Sequence, residues 1–253
     1  MYKRQDSTGK VSFGGLTAVT VADATVDVSD FNAAVTQANT ATGKTTEAGG
    51  ATVFTLSNVT AFNGGTASDF ASLLTSETNG LISGGITTEA LTVDSGTIGV
   101  SAANNLNATT TGVVTATITE GDMSTLASLG DKESGQSTDN AYTVTITDTS
   151  VAAGALNTLA GKTSVAVTGS AITTLTGAIS DVNTAYANTS GITGLGNEAV
   201  TISDTSGVAI ADLNTLDDNT TGTVDAATIT SITGTLAALL EAYGSNGITG
   251  LGN

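Results

Sequence analysis

Along most of this chain, short runs of alternating apolar and polar residues give way to segments whose apolar residues recur every three or four positions. Alternation marks a half-buried strand, and the three-to-four spacing marks a helix with one buried face. Residues 199–202 (Ala-Val-Thr-Ile) predict a strand, and Asp204-Thr205-Ser206 supplies turn and cap side chains that accept hydrogen bonds from free helix N–H groups. Ile210, Leu213 and Leu216 follow at helical spacing, with Asp217-Asp218-Asn219 and Gly222 closing the segment. The β-branched stretches 223–224 and 228–232 predict strands, and 236–243 predicts a helix that buries Leu239, Leu240 and Tyr243. Read back toward the start, helices begin near Ala152, Gly177, Gly121, Ser101, Ala67 and Ser29. Strands are predicted at 143–146, 164–167, 113–118, 91–93, 52–56 and 24–28. Ser29-Asp30-Phe31 and Ser68-Asp69-Phe70 each read as a cap followed by a core anchor, and the polar stretch 130–140 reads as an exposed loop.

The pattern repeats. GITGLGN at 191–197 returns at 247–253, VTISDTS at 200–206 echoes VTITDTS at 144–150, LNTL occurs at 156–159 and 213–216, and Tyr186 matches Tyr243. These offsets of 56 or 57 residues define a double repeat, clearest over 143–253, of two strand–helix units of roughly 25–35 residues each. One such unit cannot bury its apolar face alone, so units stack on neighbours. The expected fold is α/β: a right-handed solenoid of stacked strand–helix repeats, leucine-rich-repeat-like, with a parallel sheet. The alternative is an all-β parallel β-helix whose short helices are really loops. Residues 1–10 read as a non-native or disordered N-terminus and 11–253 as one array, a fragment of a longer chain. An open last unit would expose Leu and Ile and an unpaired sheet edge, which predicts self-association through the solenoid ends.

Composition narrows the chemistry. The net charge is −17 with six cations, none after Lys162, so neither a nucleic-acid backbone nor an anionic membrane is an expected partner. No run reaches the roughly 18–20 apolar residues of a membrane span. Histidine and cysteine are absent, which removes His-based triads, Cys nucleophiles and zinc sites of the usual kind. Paired carboxylates remain, but Asp148 and Asp204 are copies of one another, as capping residues would be and catalytic residues would not. The sequence therefore assigns no catalytic, cofactor-binding or metal residues. Calcium is the one candidate cofactor, with Asp204, Asp217, Asp218 and Asn219 or the carbonyls of 194–197 as oxygen donors. Neither a calcium-binding nonapeptide nor an EF-hand is present.

GITGLGN contains GxxGxG and is followed by a predicted strand, which fits a turn rather than a phosphate cradle. The Thr-x-Thr strings at 115–119 and 143–147 raise ice binding, though their Val, Ile and Ala partners fit any half-buried strand. Tyr186, Tyr243, Phe31 and Phe70 read as core rather than sugar platforms. The N-x-Ser/Thr strings at Asn58, Asn107, Asn188 and Asn219 read as chance.

The strings GLGNEAVTISDTS (194–206), DLNTLDDNTTGTVDAATIT (212–230) and LTGAISDVNTAYA (175–187) resemble repeats of very large adhesin-like surface proteins of marine picocyanobacteria and related marine bacteria. That resemblance covers 91–253 and implies an extracellular or cell-surface location and a structural, adhesive role without catalysis. Such proteins often carry calcium-binding nonapeptides and a C-terminal secretion signal, and neither occurs in this window. The other expectations are a module binding carbohydrate or a surface polysaccharide, a polysaccharide-active solenoid enzyme, and a phage fibre segment.

Overall fold

The computed structural model describes residues 16–40 and 51–252, together with the strand pair β1 (Arg4–Gln5) and β2 (Val11–Ser12), which is antiparallel. Apart from Arg4 and Gln5, the N-terminal stretch 1–10 lies outside the described residues. The chain divides into two compact units, residues 1–117 with 132–141 and residues 118–131 with 142–253.

In the first unit, β3 (Ala18–Thr20), β4 (Thr25–Asp27) and α1 (Val28–Thr40) are followed by β5 (Val53–Thr55), β6 (Ala61–Gly65) and α2 (Ala67–Thr78). Then come β7 (Ile82–Ser83), β8 (Ala90–Val93), α3 (Val100–Asn107) and β9 (Val114–Thr117). The ladders β3–β5, β5–β7, β4–β6, β6–β8 and β8–β9 are parallel. β3, β5 and β7 form one sheet, while β4, β6, β8 and β9 form another. The second sheet stacks one inward residue per strand, Val26, Phe62, Leu91 and Val114, each buried. Phe31 from α1 packs edge-on against Phe54 and Phe62, with ring centroids 5.4 and 5.6 Å away. Phe31 and Phe70 are therefore core anchors.

The stretch 130–140 is tied down more firmly than an exposed loop. Its Gln136 and Asn140 are buried, and the Asn140 amide donates to the buried Asn107 side chain at 2.6 Å. Gln136 Nε2 donates to Asn140 Oδ1, which also accepts the Val114 N–H. Its polar composition thus reflects buried amides as well as solvent, satisfied by one another as buried polar groups must be.

The second unit starts with α4 (Met123–Leu126), and β10 (Ala141–Thr143) crosses into it. There follow β11 (Ser150–Ala152), α5 (Ala153–Ala160), β12 (Val167–Thr168), β13 (Thr174–Gly177), α6 (Ile179–Ala187) and β14 (Ile192–Thr193). β15 (Ala199–Ile202), β16 (Val208–Ala209), α7 (Ile210–Asn219), β17 (Val224–Asp225), β18 (Ile232–Thr233), α8 (Leu236–Gly244) and β19 (Ile248–Thr249) complete it. The main sheet runs β11-β13-β15-β17-β19, all parallel, with Val151, Leu175, Val200, Val224 and Ile248 in one row. Steps along that row are 24 or 25 residues. The architecture is a mixed α/β one of alternating strands and helices on parallel sheets, and the expected short helices are present as helices.

Two devices fix one module against the next. Thr60, Thr111, Thr173 and Thr230 each send both the backbone N–H and the hydroxyl to a single carbonyl one module earlier, those of Ala24, Thr87, Thr149 and Thr205. The hydroxyl distances run from 2.6 to 3.1 Å. The second device is an asparagine at the fifth helical residue. Asn32, Asn157, Asn183 and Asn214 donate through Nδ2 to the third-residue carbonyl of the following helix, those of Asp69, Asp181, Asp212 and Ala238, at 2.8–3.0 Å. The four Oδ1 atoms are buried and accept nothing from the chain. A half-satisfied amide adds little net stability, so its main contribution is to specify register.

Further sequence expectations need correction. Ser29 and Ser68 lie inside their helices and are not the caps: Asp27 accepts the Ser29 and Asp30 amides at the start of α1, and Thr66 caps α2 by accepting the Asp69 amide. The strand predicted at 228–232 is confined to Ile232–Thr233, because Thr228 and Thr230 turn their hydroxyls onto the carbonyls of Ile202, Asp204 and Thr205. The face of α8 is a further correction: Leu239 is only half-buried, and Leu240 is 68% and Tyr243 58% exposed.

Asn183→Ala should lower stability to urea by about 1 kcal/mol. Thr184→Ala, on the exposed side of the same helix, should stay within about 0.5 kcal/mol of the parent. Urea melts of the two variants check this.

Candidate functional site

The residues singled out for chemistry are distributed among the modules. Asp204 lies between β15 and β16, and its Oδ2 accepts the Ile179 N–H at 2.7 Å. It therefore caps α6, one module earlier, and not the helix that follows it in sequence. Its repeat copy Asp148 does the same for Met123 at the start of α4, also at 2.7 Å. The cap role follows the electrostatics of a helix N-terminus, but the register of neighbouring strands decides which helix receives it. Asp217 faces the other way along the array, accepting the Ser245 hydroxyl at 2.6 Å. Asp218 and Asn219 are exposed in the last turn of α7. The structure does not gather these four oxygen donors into one cage. Among the described residues no three acidic side chains converge.

Other carboxylates serve local turns. Hydrogen bonds, chiefly from the Ser124 hydroxyl and then from the Thr125 amide, hold Asp122 down at about 2. Asp27 and Asp69 are lowered in the same way, first by the hydroxyls of Ser29 and Thr66 respectively. Lys162 spends its ammonium on the carbonyls of Ala127 and Leu129, at 2.8 and 2.6 Å, just past the C-terminus of α4. A cation is favoured there by the helix dipole.

The GITGLGN turn leads into β15, a strand. Its Gly194 has φ +84°, and a Cβ there would sit 2.8 Å from the backbone nitrogen of Ser170. Gly250, its repeat copy, has φ +79° and meets Ala227 as closely. These glycines let one turn nest on the module before it. In the string at 143–147, Val144 and Ile146 are buried and the threonines face out, as in any half-buried strand.

A constellation that sequence reasoning missed is centred on Glu198. This carboxylate is fully buried, and its Oε2 accepts three hydrogen bonds: from the Tyr186 hydroxyl at 2.9 Å and from the Gly196 and Asn197 amides at 2.8 and 3.1 Å. Oε1 is buried with no partner in the chain. Thr220 donates to the Glu198 carbonyl at 2.7 Å, and a Cβ on Gly222 would come within 2.2 Å of that carbonyl oxygen. The arrangement has a counterpart. Glu89 is buried, Thr110 donates to its carbonyl at 2.7 Å, and Gly112 approaches as closely as Gly222 does. The signal in the sequence is the echo of Glu89-Ala90-Leu91-Thr92-Val93 in Glu198-Ala199-Val200-Thr201-Ile202. Burial, with the neighbouring Glu198 charge adding to it, raises the Tyr186 phenol above its usual 10.

Beside Tyr186 opens a concavity of about 350 Å³ lined by Thr189, Ile192, Thr193, Leu195 and Asn219. It offers the Thr189 and Thr193 hydroxyls and the Asn219 amide, but no nucleophile paired with a base. Glu198 is fully buried and does not line it. Such a site can hold a small polar molecule and cannot by itself run acid–base chemistry.

No family model, curated protein or solved structure matches this chain. Among the described residues no helix is long and apolar enough to cross a membrane.

Tyr186→Phe should cost about 1–3 kcal/mol, because a buried carboxylate loses its hydroxyl donor. The raised phenol also gives a pH signature. Its contribution to stability is complete below pH 10 and falls as pH rises beyond that value, through the folded-state titration. Urea melts at neutral and alkaline pH check both, and Tyr186→Phe should lose the alkaline fall.

Proposed function

We propose that this chain is a non-catalytic structural module of a large extracellular or cell-surface bacterial protein, built as a right-handed solenoid and acting as a projecting or adhesive segment. The observation that carries this reading is the destination of its polar side chains. Thr, Asn and Asp groups that could face a substrate are spent on the backbone of the neighbouring module, at Thr173, Asn183 and Asp204 alike. Repetition of a contact, rather than one unique cluster, is the signature of a scaffold. Parallel strands joined by helical crossovers favour the right-handed path. The high negative charge suits a surface that stays dispersed and wetted.

A second reading, a module that binds surface polysaccharide, draws on the Tyr186 concavity, whose lining includes Thr189, Thr193 and Asn219. It is compatible with the first, since a stalk can carry shallow sites along its length.

Small-angle scattering tests the stalk. A compact 253-residue globule has a radius of gyration of about 18 Å. The solenoid reading predicts a clearly larger value and an elongated distance distribution, the same in chelator and in millimolar calcium. A value near that of a globule, or one that extends only when calcium is added, would refute the metal-free stalk.

A further inference from the structure

A concavity of about 250 Å³ lies between α4 and α5, lined by Met123, Leu126, Ala127, Ala155, Leu159 and Lys162 among others. It exists because α4 is a single turn of four residues against the eight of α5, so it covers only part of the facing helix. Thr158 also lines it, but its hydroxyl is spent on the Gly154 carbonyl at 2.8 Å. The recess is therefore apolar apart from one group. Lys162 is the charged residue of the lining and the sole cation of residues 142–253. An ammonium has three N–H donors, and Lys162 directs two of them to the carbonyls of Ala127 and Leu129. Among the described residues no carboxylate forms an ion pair with it. A chain with 23 acidic and six basic residues thus leaves this half-buried ammonium without a counter-ion.

We propose that this recess binds a small amphiphilic anion, a medium-chain carboxylate, with its head on Lys162 and its alkyl chain along Leu159, Leu126 and Met123. Charge selects the head: the third N–H of an ammonium already aimed by two carbonyls can donate a charge-assisted hydrogen bond to a carboxylate. The lining selects the tail, since an alkyl chain laid on leucine, alanine and an adaptable methionine leaves water. The volume selects the size, because drug-sized pockets run from roughly 300 to 1,000 Å³ and this one is smaller. The two ends of α4 then set the direction. At its start Asp148 accepts the Met123 N–H and Asp122 accepts the Ser124 hydroxyl, so that end is anionic. Lys162 sits past the other end, bonded to the Ala127 and Leu129 carbonyls. An anionic head is repelled from the first and drawn to the second. This inference stands on the α4–α5 recess alone and depends neither on the stalk reading nor on the Tyr186 concavity.

Nuclear magnetic resonance of the whole chain, labelled with carbon-13 at the methionine methyls, tests it. The chain has two methionines, so the Met123 methyl is one of two signals and Met1 serves as the control. The probe is octanoate, kept below its micelle concentration. The expected result is a saturable shift of the Met123 signal in the millimolar range, with Met1 unmoved. Octan-1-ol, which keeps the chain and lacks the charge, should bind roughly tenfold more weakly, and Lys162→Gln should weaken octanoate by a similar factor. Ala155→Leu fills the recess from an exposed position and leaves Lys162 in place. It should keep the melting temperature of the parent and lose the octanoate shift. A Met123 signal that octanoate does not move, one that Met1 follows, equal affinity for octan-1-ol, or binding indifferent to Lys162→Gln or to Ala155→Leu would each overturn the proposal.

Discussion

A single carbonyl receiving two donors from one threonine is the contact on which the rest of this structure depends. At Thr60, Thr111, Thr173 and Thr230 the amide and the hydroxyl converge on one oxygen of the preceding module. The contact closes the corner between modules and fixes the residue from which the next strand starts. In the second unit the strand must then arrive in register, so that Val151, Leu175, Val200 and Val224 fall in one buried row. A one-residue slip would turn that row outward. The abundance of threonine follows from this demand. A β-branched side chain suits the strand, and its hydroxyl closes the corner.

The helices obey a parallel constraint. Each module buries a thin layer of Leu, Val and Ala, too little to define the position of its neighbour by shape alone. The asparagine at the fifth helical residue supplies a direction, and Asp148 and Asp204 supply another by capping the helix one module back. Glu198 adds a buried anchor where the connection between α6 and α7 lengthens to hold three strands, β14, β15 and β16. The carboxylate and its three donors hold the GLGN turn while the path shifts. Polar groups in this fold are structural in the strict sense that they choose one register among several apolar alternatives.

Much of this was legible in the sequence, and the part that was not has a physical reason. The strand at Ala199–Ile202 and the helix from Ile210 are visible because their periods, two and three-to-four, are local properties. The partners of Asp204 are not local. A reader of the chain assigns it to the helix that follows, and only the pairing of Thr174 with Ala199 brings it beside Ile179 instead. Burial of Glu198 is hidden for the same reason, since Tyr186 and Thr220, which bond it, lie 12 and 22 residues away in the sequence. The α8 face misleads differently. Leu236, Leu239, Leu240 and Tyr243 are all apolar, so periodicity names a helix without saying which side a neighbour covers. The asparagine of LNTL carries no local periodic signal, and its role shows only in the contact that Asn157 and Asn214 make with the following helix.

Native-state hydrogen exchange tests the central claim most directly. If stability accumulates from module to module, protection should fall in steps along the sheet. Ala199, bonded to Thr173, and Val200, bonded to Thr223, should exchange slowest, and Val224, bonded to Gly247 at the open side, markedly faster. Asn183→Ala should steepen that gradient on the α7 side and leave β11 and β13 unchanged. Equal protection at Val200 and Val224, lost together in every variant, would mean one cooperative core and would contradict the account.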